Sequence, residues 1–282
     1  MVEETGVAGR ASTSEIDAMS RALLLAADPE LYTHPNPRVG AVLLDTFGTV
    51  IGSGFHHGPG SPHAEVDALT HAGDSARGAT AVVTLEPCNH TGRTGPCADA
   101  LVAAGVARVV FGQPDPNPLA AGGAEALAAA GVEVVGGVMA DDARALNPVW
   151  SFAMDRQRPL VTWKFAATID GRVAAADGTS RWISSTASRA EVHRIRASVD
   201  AVVVGTGTVI VDDPQLSARD EQGALLDRQP LRVVVGEREI PRAARVLNES
   251  GPTLLFRTRE VSTVLNQLFA KDVHHVLLEG GP

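Results

Sequence analysis

Apolar positions recur along the chain in two rhythms, and each change of rhythm marks an element. Ile16, Met19, Leu23 and Ala26 follow helical spacing behind Ser14, which predicts a helix over 15–28 with Ser14 as its cap. After a proline-rich break at 34–38, two short apolar runs at 39–44 and 49–55 read as strands, joined by the turn Asp45-Thr46-Phe47-Gly48. A helix over 62–72 follows, with Ser61 as cap and Pro62 at its first position. A strand at 80–85 and a helix at 96–104, opened by Pro96 and ended by Gly105, come next. A strand at 106–111, a helix at 123–130 stopped by Gly131 and a strand at 132–138 complete the first half.

Prolines and mixed charges interrupt the pattern at 147–159, which predicts a boundary. A second alternation then begins, with strands at 160–166, 201–205, 231–235, 253–256 and 275–278 and helices at 186–197 and 261–270. The expected fold class is α/β throughout, as two domains in tandem. Because the first domain opens with a hairpin, its sheet should be mixed, in an α/β/α sandwich. The expected division is a tail at 1–14, a first domain at 15–146, a linker at 147–158 and a second domain at 159–282. The closing LLEGGP reads as a strand entering a Gly-rich turn without the helix that usually follows, so the second domain is expected to be C-terminally incomplete.

Composition narrows the function classes. Of 282 residues, 44% are hydrophobic and 20% charged, which supplies a core and excludes a disordered chain. No run approaches the roughly 18 apolar residues of a membrane span, so no membrane partner is expected. A net charge of −9 without a Lys/Arg run argues against nucleic acid as a partner. The N-terminus lacks the apolar block of a signal peptide, so the expected location is cytoplasmic. In that compartment the two cysteines, Cys88 and Cys97, point to metal or catalysis rather than to a disulfide.

The chemistry concentrates in His63-Ala64-Glu65, Pro87-Cys88 and Cys97. The zinc deaminase signature is H-x-E followed by P-C-x-x-C; here eight residues, not two, separate the cysteines. One His and two Cys make three metal ligands and leave a fourth position for water. Pro96 sets Cys97 in a first helical turn, where thiolate is favoured. Glu65 would carry protons. Residues two apart on a continuous helix point about 200° apart, so His63 and Glu65 converge only if the metal lies off the helix end. Two blander readings stand beside this one: an inert buried cysteine pair, or a structural zinc that recruits His57 or His90.

The runs HPNPRVGAV, SPHAEVDAL, VTLEPCNHTGRTGPCADAL and DPNP at 115–118 resemble the bifunctional riboflavin-biosynthesis deaminase/reductase family, whose own cysteine spacing this is. The likeness continues in KFAATIDGR, SRWIS, GTVIVDDPQLSAR and LLEGGP. It implies a cytidine-deaminase-like domain followed by a dihydrofolate-reductase-like one. The first would deaminate 2,5-diamino-6-(5-phosphoribosylamino)pyrimidin-4-one with zinc; the second would use NADPH to reduce the ribosyl group to ribityl. On the same grounds His63, Cys88 and Cys97 are the expected zinc ligands and Glu65 the proton shuttle. Ala167, Trp182, Thr208, Asp212, Gly281 and Pro282 match cofactor-contacting positions. Ser180, Arg196, Leu216, Arg219 and Glu279 match substrate-contacting positions, and a homodimer is the expected assembly.

Residue types alone say less about the supporting positions. Asn36 can face a pyrimidine edge or serve a turn, and His90 and Arg93 can touch substrate or solvent. Arg196 and Arg219 suit a phosphate but on residue type alone read as surface charges, and Trp182 reads as core. Gly205-Thr206-Gly207 lacks the third glycine of a dinucleotide fingerprint. Two rival functions remain at this point: a nucleic-acid base deaminase, disfavoured by charge and cysteine spacing, and a non-enzymatic protein with a structural zinc.

Overall fold

The computed structural model describes residues 10–28, 32–91, 95–174, 176 and 184–280. Arg93, Ser180, Trp182, Gly281 and Pro282, named above as site candidates, lie outside the described residues. The chain divides into two compact units, Met1–Asp155 and Arg156–Pro282.

The first unit contains α1 (Thr13–Ala26), β1 (Gly40–Leu44), β2 (Val50–Phe55), α2 (Ala64–Ala72), β3 (Thr80–Leu85), α3 (Cys97–Ala103), β4 (Arg108–Gln113), α4 (Gly123–Ala129), β5 (Glu133–Val135), α5 (Ala140–Leu146) and α6 (Pro148–Arg156). Its sheet runs β2-β1-β3-β4-β5. β1 pairs antiparallel with β2 and β3, while β3, β4 and β5 are parallel, so the sheet is mixed as expected. Met19 and Ala22 of α1 pack on Val42, Leu44, Val82 and Val110, one face of that sheet. α2 lies on the other face. It comes close because β2 places Gly52 and Gly54 under it; a Cβ at Gly54 would collide with the Ala68 amide nitrogen, and one at Gly52 would stand 2.6 Å from the Ala68 carbonyl oxygen. β2 is an outer strand, bulged opposite Leu43/Leu44, and its Phe55 amide donates to Asp67 Oδ2 of α2 at 3.2 Å.

Four expectations in this unit change. The cap of α1 is Ser12, not Ser14. Ser12 Oγ accepts the Glu15 amide while the Glu15 carboxylate accepts the Ser12 amide, a reciprocal capping box. α2 starts at Ala64, two residues later than predicted, and its cap is His63. The stretch read as a linker is largely helix: Pro148 opens α6 rather than breaking a pattern, and α6 buries Trp150, Ser151, Ala153 and Met154. β4 also begins later, at Arg108, because the Val106 amide still closes α3 through Leu101.

The second unit contains β6 (Leu160–Lys164), α7 (Thr186–Ser198), β7 (Ala201–Gly205), α8 (Thr206–Asp212), β8 (Leu231–Val235), β9 (Thr253–Phe256), α9 (Val261–Phe269) and β10 (His275–Glu279). Its sheet, in the order β6-β10-β7-β8-β9, is parallel throughout. Val202, Val204, Val234 and Leu277 face Val209 of α8 and Leu216 on one side. Ala201, Val203, Val233 and Val276 face Val264 and Leu268 of α9 on the other. Such double coverage accounts for the near-continuous Val/Leu runs of these strands.

Candidate metal centre and active sites

Three elements of the first unit deliver the candidate ligands. β3 ends at Leu85 and leads into Glu86-Pro87-Cys88; α3 starts at Cys97; α2 is capped by His63. His63 Nδ1 lies 3.2 Å from Cys97 Sγ and 3.6 Å from Cys88 Sγ, and all three ligand atoms fall within 4.8 Å of one another. Tetrahedral zinc with bonds of about 2.1–2.3 Å needs ligands roughly 3.6 Å apart, so this donor set fits the metal. The cap position also removes the 200° difficulty. His63 has extended backbone (φ −70°, ψ 160°), so its side chain does not follow the helical path of Glu65 in the first turn of α2. His57, the alternative ligand, instead bonds Asp67 through Nε2 at 3.3 Å. His90 keeps a buried Nδ1 without a hydrogen-bond partner among the described residues.

Electrostatics at this centre follow from burial and mutual contact. The Cys97 hydrogen bond pulls the Cys88 thiol down to about 4, assisted by His63, and Cys88 in turn pushes the Cys97 thiol up. The Cys97 amide also donates to Cys88 Sγ at 3.4 Å. The Cys88 hydrogen bond raises His63 above its ordinary value. Glu65 is buried, and that burial pushes its carboxyl up to about 7.

Asn36 is held by a residue that sequence reasoning missed. His56 is buried, which lowers its pKa and favours the neutral ring. Its Nδ1 donates to the Pro62 carbonyl at 3.1 Å, leaving Nε2 to accept from Asn36 Nδ2 at 3.0 Å. The adjacent His56-His57 pair is the only trace of this in the sequence. Burial pushes Asp115, in the DPNP run, up to about 6. A groove of about 550 Å³ runs along β2 between Arg21, Leu25, His57, Asp67 and His71, and none of His63, Cys88 and Cys97 lines it.

In the second unit the C-terminal ends of β7 and β10 lie side by side, the edge of a parallel sheet where cofactors gather. Gly280 (φ 141°) follows β10, and a Cβ there would stand 3.1 Å from Thr208 Oγ1, so the glycine leaves an open cradle beside Thr208. Asp212 ends α8, and Ala167 is exposed just past β6. Arg196 is not a surface charge: its Nε and Nη2 bond the two Glu279 carboxylate oxygens at 2.6 and 2.9 Å. Lys164 Nζ, also missed, joins at 3.4 Å. Arg219 is held by Ser217 Oγ, Gly223 O and Gln215 Oε1. Leu216 is buried with φ 58°, and the next carbonyl, Ser217 O, accepts from both His193 Nδ1 and Arg196 Nη1.

Comparison with known proteins bears on both units. Residues 12–113 match the family model for the zinc-binding region of cytidine and deoxycytidylate deaminases, and residues 159–282 match that of the RibD C-terminal domain. Riboflavin biosynthesis protein RibD of Mycobacterium tuberculosis is 50% identical over 268 residues, covering 94% of this chain and 78% of that one. The Aquifex aeolicus protein of the same name is 42% identical over 294 residues, covering 95% and 82%. Among solved structures, Acinetobacter baumannii RibD superposes with a TM-score of 0.81 at 41% identity, covering 95% of this chain and 81% of that one. A Thermotoga maritima diaminohydroxyphosphoribosylaminopyrimidine deaminase/5-amino-6-(5-phosphoribosylamino)uracil reductase gives 0.76 at 36%, with coverage of 95% and 81%.

Proposed function

The chain belongs to the riboflavin biosynthesis protein RibD family, and from that premise we propose that His63, Cys88 and Cys97 hold the zinc of its deaminase and that Glu65 moves the protons. The protein is a bifunctional enzyme of riboflavin biosynthesis, a zinc-dependent deaminase fused to an NADPH-dependent reductase. The observation that carries the residue assignment is the convergence of one imidazole nitrogen and two thiols beside a buried carboxyl.

Deamination of the diaminopyrimidine ribotide exchanges the C2 amino group for the oxygen of water, releasing ammonia. Zinc, when bound, supplies acidified water, with a pKa of about 7. Glu65 takes a proton from the attacking water, passes it to a ring nitrogen and delivers a proton to the departing amine. Its burial withholds it from bulk water during these transfers. Asn36, held by His56, orients the pyrimidine edge through the amide atoms left free.

For the second step, Thr208, Asp212 and Ala167 would hold NADPH, together with Trp182, Gly281 and Pro282. The cofactor supplies the hydride that reduces the ribosyl group to ribityl. Arg196, Arg219, Leu216, Ser180 and Glu279 are assigned to the ribotide. Glu279 keeps the Arg196 guanidinium at the end of β10, and the backbone at Leu216 aims the Ser217 carbonyl at the same guanidinium. We assign deamination to residues 15–146 and reduction to 159–282. A homodimer is the proposed assembly, by analogy with the family. The cytoplasm is the proposed location, a reducing compartment suited to the two free thiols.

The test is ammonia release from the diaminopyrimidine ribotide by zinc-loaded protein, with Glu65→Gln beside it. The expected outcome is zinc retention in both and a loss of about 10²–10⁴-fold in turnover for the variant, the range typical of a lost acid–base group. Equal turnover by Glu65→Gln would remove Glu65 from the mechanism; no release by the wild type would remove the substrate.

A further inference from the structure

Glu86 separates the end of β3 from the Pro87-Cys88 pair and is buried, yet no ion pair engages it among the described residues. Backbone amides do so instead. Oε2 accepts from the Asp115 amide at 3.1 Å, and Oε1 from the Gly122 and Ala124 amides at 3.2 and 3.0 Å. Three donors from a segment some thirty residues away satisfy a charge that burial would otherwise make costly.

The same turn is held through its backbone. The Glu86 amide donates to Gln113 O and the Asn89 amide to Ala120 O, both at 2.9 Å. At the start of α4, Gly123 lies so close to the Pro87 carbonyl that a Cβ would collide with its oxygen. On the far side the Ala98 amide donates to the Cys88 carbonyl at 3.2 Å, and Ala120 packs against both cysteines. Cys88 has little freedom once these contacts form, and the Glu86 carboxylate adds three more from the Asp115, Gly122 and Ala124 amides.

We propose that Glu86 is a positioning residue of the metal centre: by drawing the amides of Asp115, Gly122 and Ala124 onto one carboxylate it fixes the Pro87-Cys88 turn and hence the direction of the Cys88 sulfur. The inference rests on the assignment of Cys88 as a zinc ligand. Glu86 touches the reaction only through that ligand. A loop-folding role alone would leave metal affinity and the ligand field unchanged.

The full chain and its Glu86→Gln and Glu86→Ala variants are compared for zinc affinity against a chromophoric chelator, for the thiolate-to-metal absorption of their cobalt forms, and for amide exchange. Glu86→Ala should bind zinc about 10–100-fold more weakly, the range for lost outer-shell partners of metal ligands, with a weakened cobalt–thiolate band and faster exchange at Asp115, Gly122 and Ala124. Glu86→Gln keeps one acceptor oxygen and should fall between. Wild-type zinc affinity and cobalt spectrum in the variants overturn the proposal; if Glu86→Ala does not fold, Glu86→Gln decides by the same criterion. A wild type that binds no zinc overturns the ligand assignment itself, a result distinct from equal binding by all three.

Discussion

Two opposing forces meet on Glu279. Burial pushes its carboxyl up, but the paired hydrogen bonds and charge of Arg196, with Lys164 behind them, prevail and hold it below its ordinary value of 4.5. In the folded chain this group therefore binds fewer protons than in the unfolded one as the solution becomes acidic. Its stabilising contribution is complete above about pH 5 and is lost as pH falls below 4.5 through the lower folded value. Thermal melts of the second unit between pH 7 and pH 3 should show that loss. Arg196→Ala should destabilise at neutral pH by about 3–5 kcal/mol, because it strips a buried carboxylate of its main partner. A variant as stable as wild type at pH 7 would show that Lys164 alone suffices.

Among the elements, α2 matters most, because it carries Glu65 in its first turn and His63 as its cap. Its position depends on the absence of side chains at Gly52 and Gly54. Gly54→Ala should shift the helix off β2, at an overpacking cost of about 1–3 kcal/mol, and lower zinc occupancy by displacing His63. Metal content and melting temperature of the purified variant check both parts; full occupancy with a lowered melt would separate packing from the site. Element by element, legibility tracked local signal. The strands at 80–85, 201–205, 231–235 and 253–256 were readable to the residue, being apolar runs closed by turn residues. α8 was not, because TGTVIVD holds one glycine and five β-branched residues, all weak helix formers; packing of Val209, not propensity, makes it helical. α6 was hidden by reading Pro148 as a breaker. The proposed zinc ligands were legible because metal chemistry restricts residue type and spacing, and the structure brings their three donor atoms within 4.8 Å of one another. Glu86 could not, because its partners are main-chain amides, which leave no mark in the residue letters.

Across the whole molecule, each unit has its own five-stranded sheet and its own core, and the candidate metal ligands sit at element starts and ends, His63 capping α2 and Cys97 opening α3. No helix among the described residues is long and apolar enough to cross a membrane. The outer position of β2 has a further consequence. An outer strand offers unpaired amides to any other strand in solution, a route to uncontrolled polymerisation. Here the Phe55 amide is already taken by Asp67, whose negative charge stands where an incoming strand would have to bond, and the bulge opposite Leu43/Leu44 spoils the register such a strand would need. Asp67→Ala, followed by light scattering over days at high concentration, should accumulate large particles while wild type stays clear. Equal clarity would leave the bulge as sufficient protection. A single aspartate that anchors a helix to its strand should thus also serve as a solubility guard, keeping this sheet five strands wide.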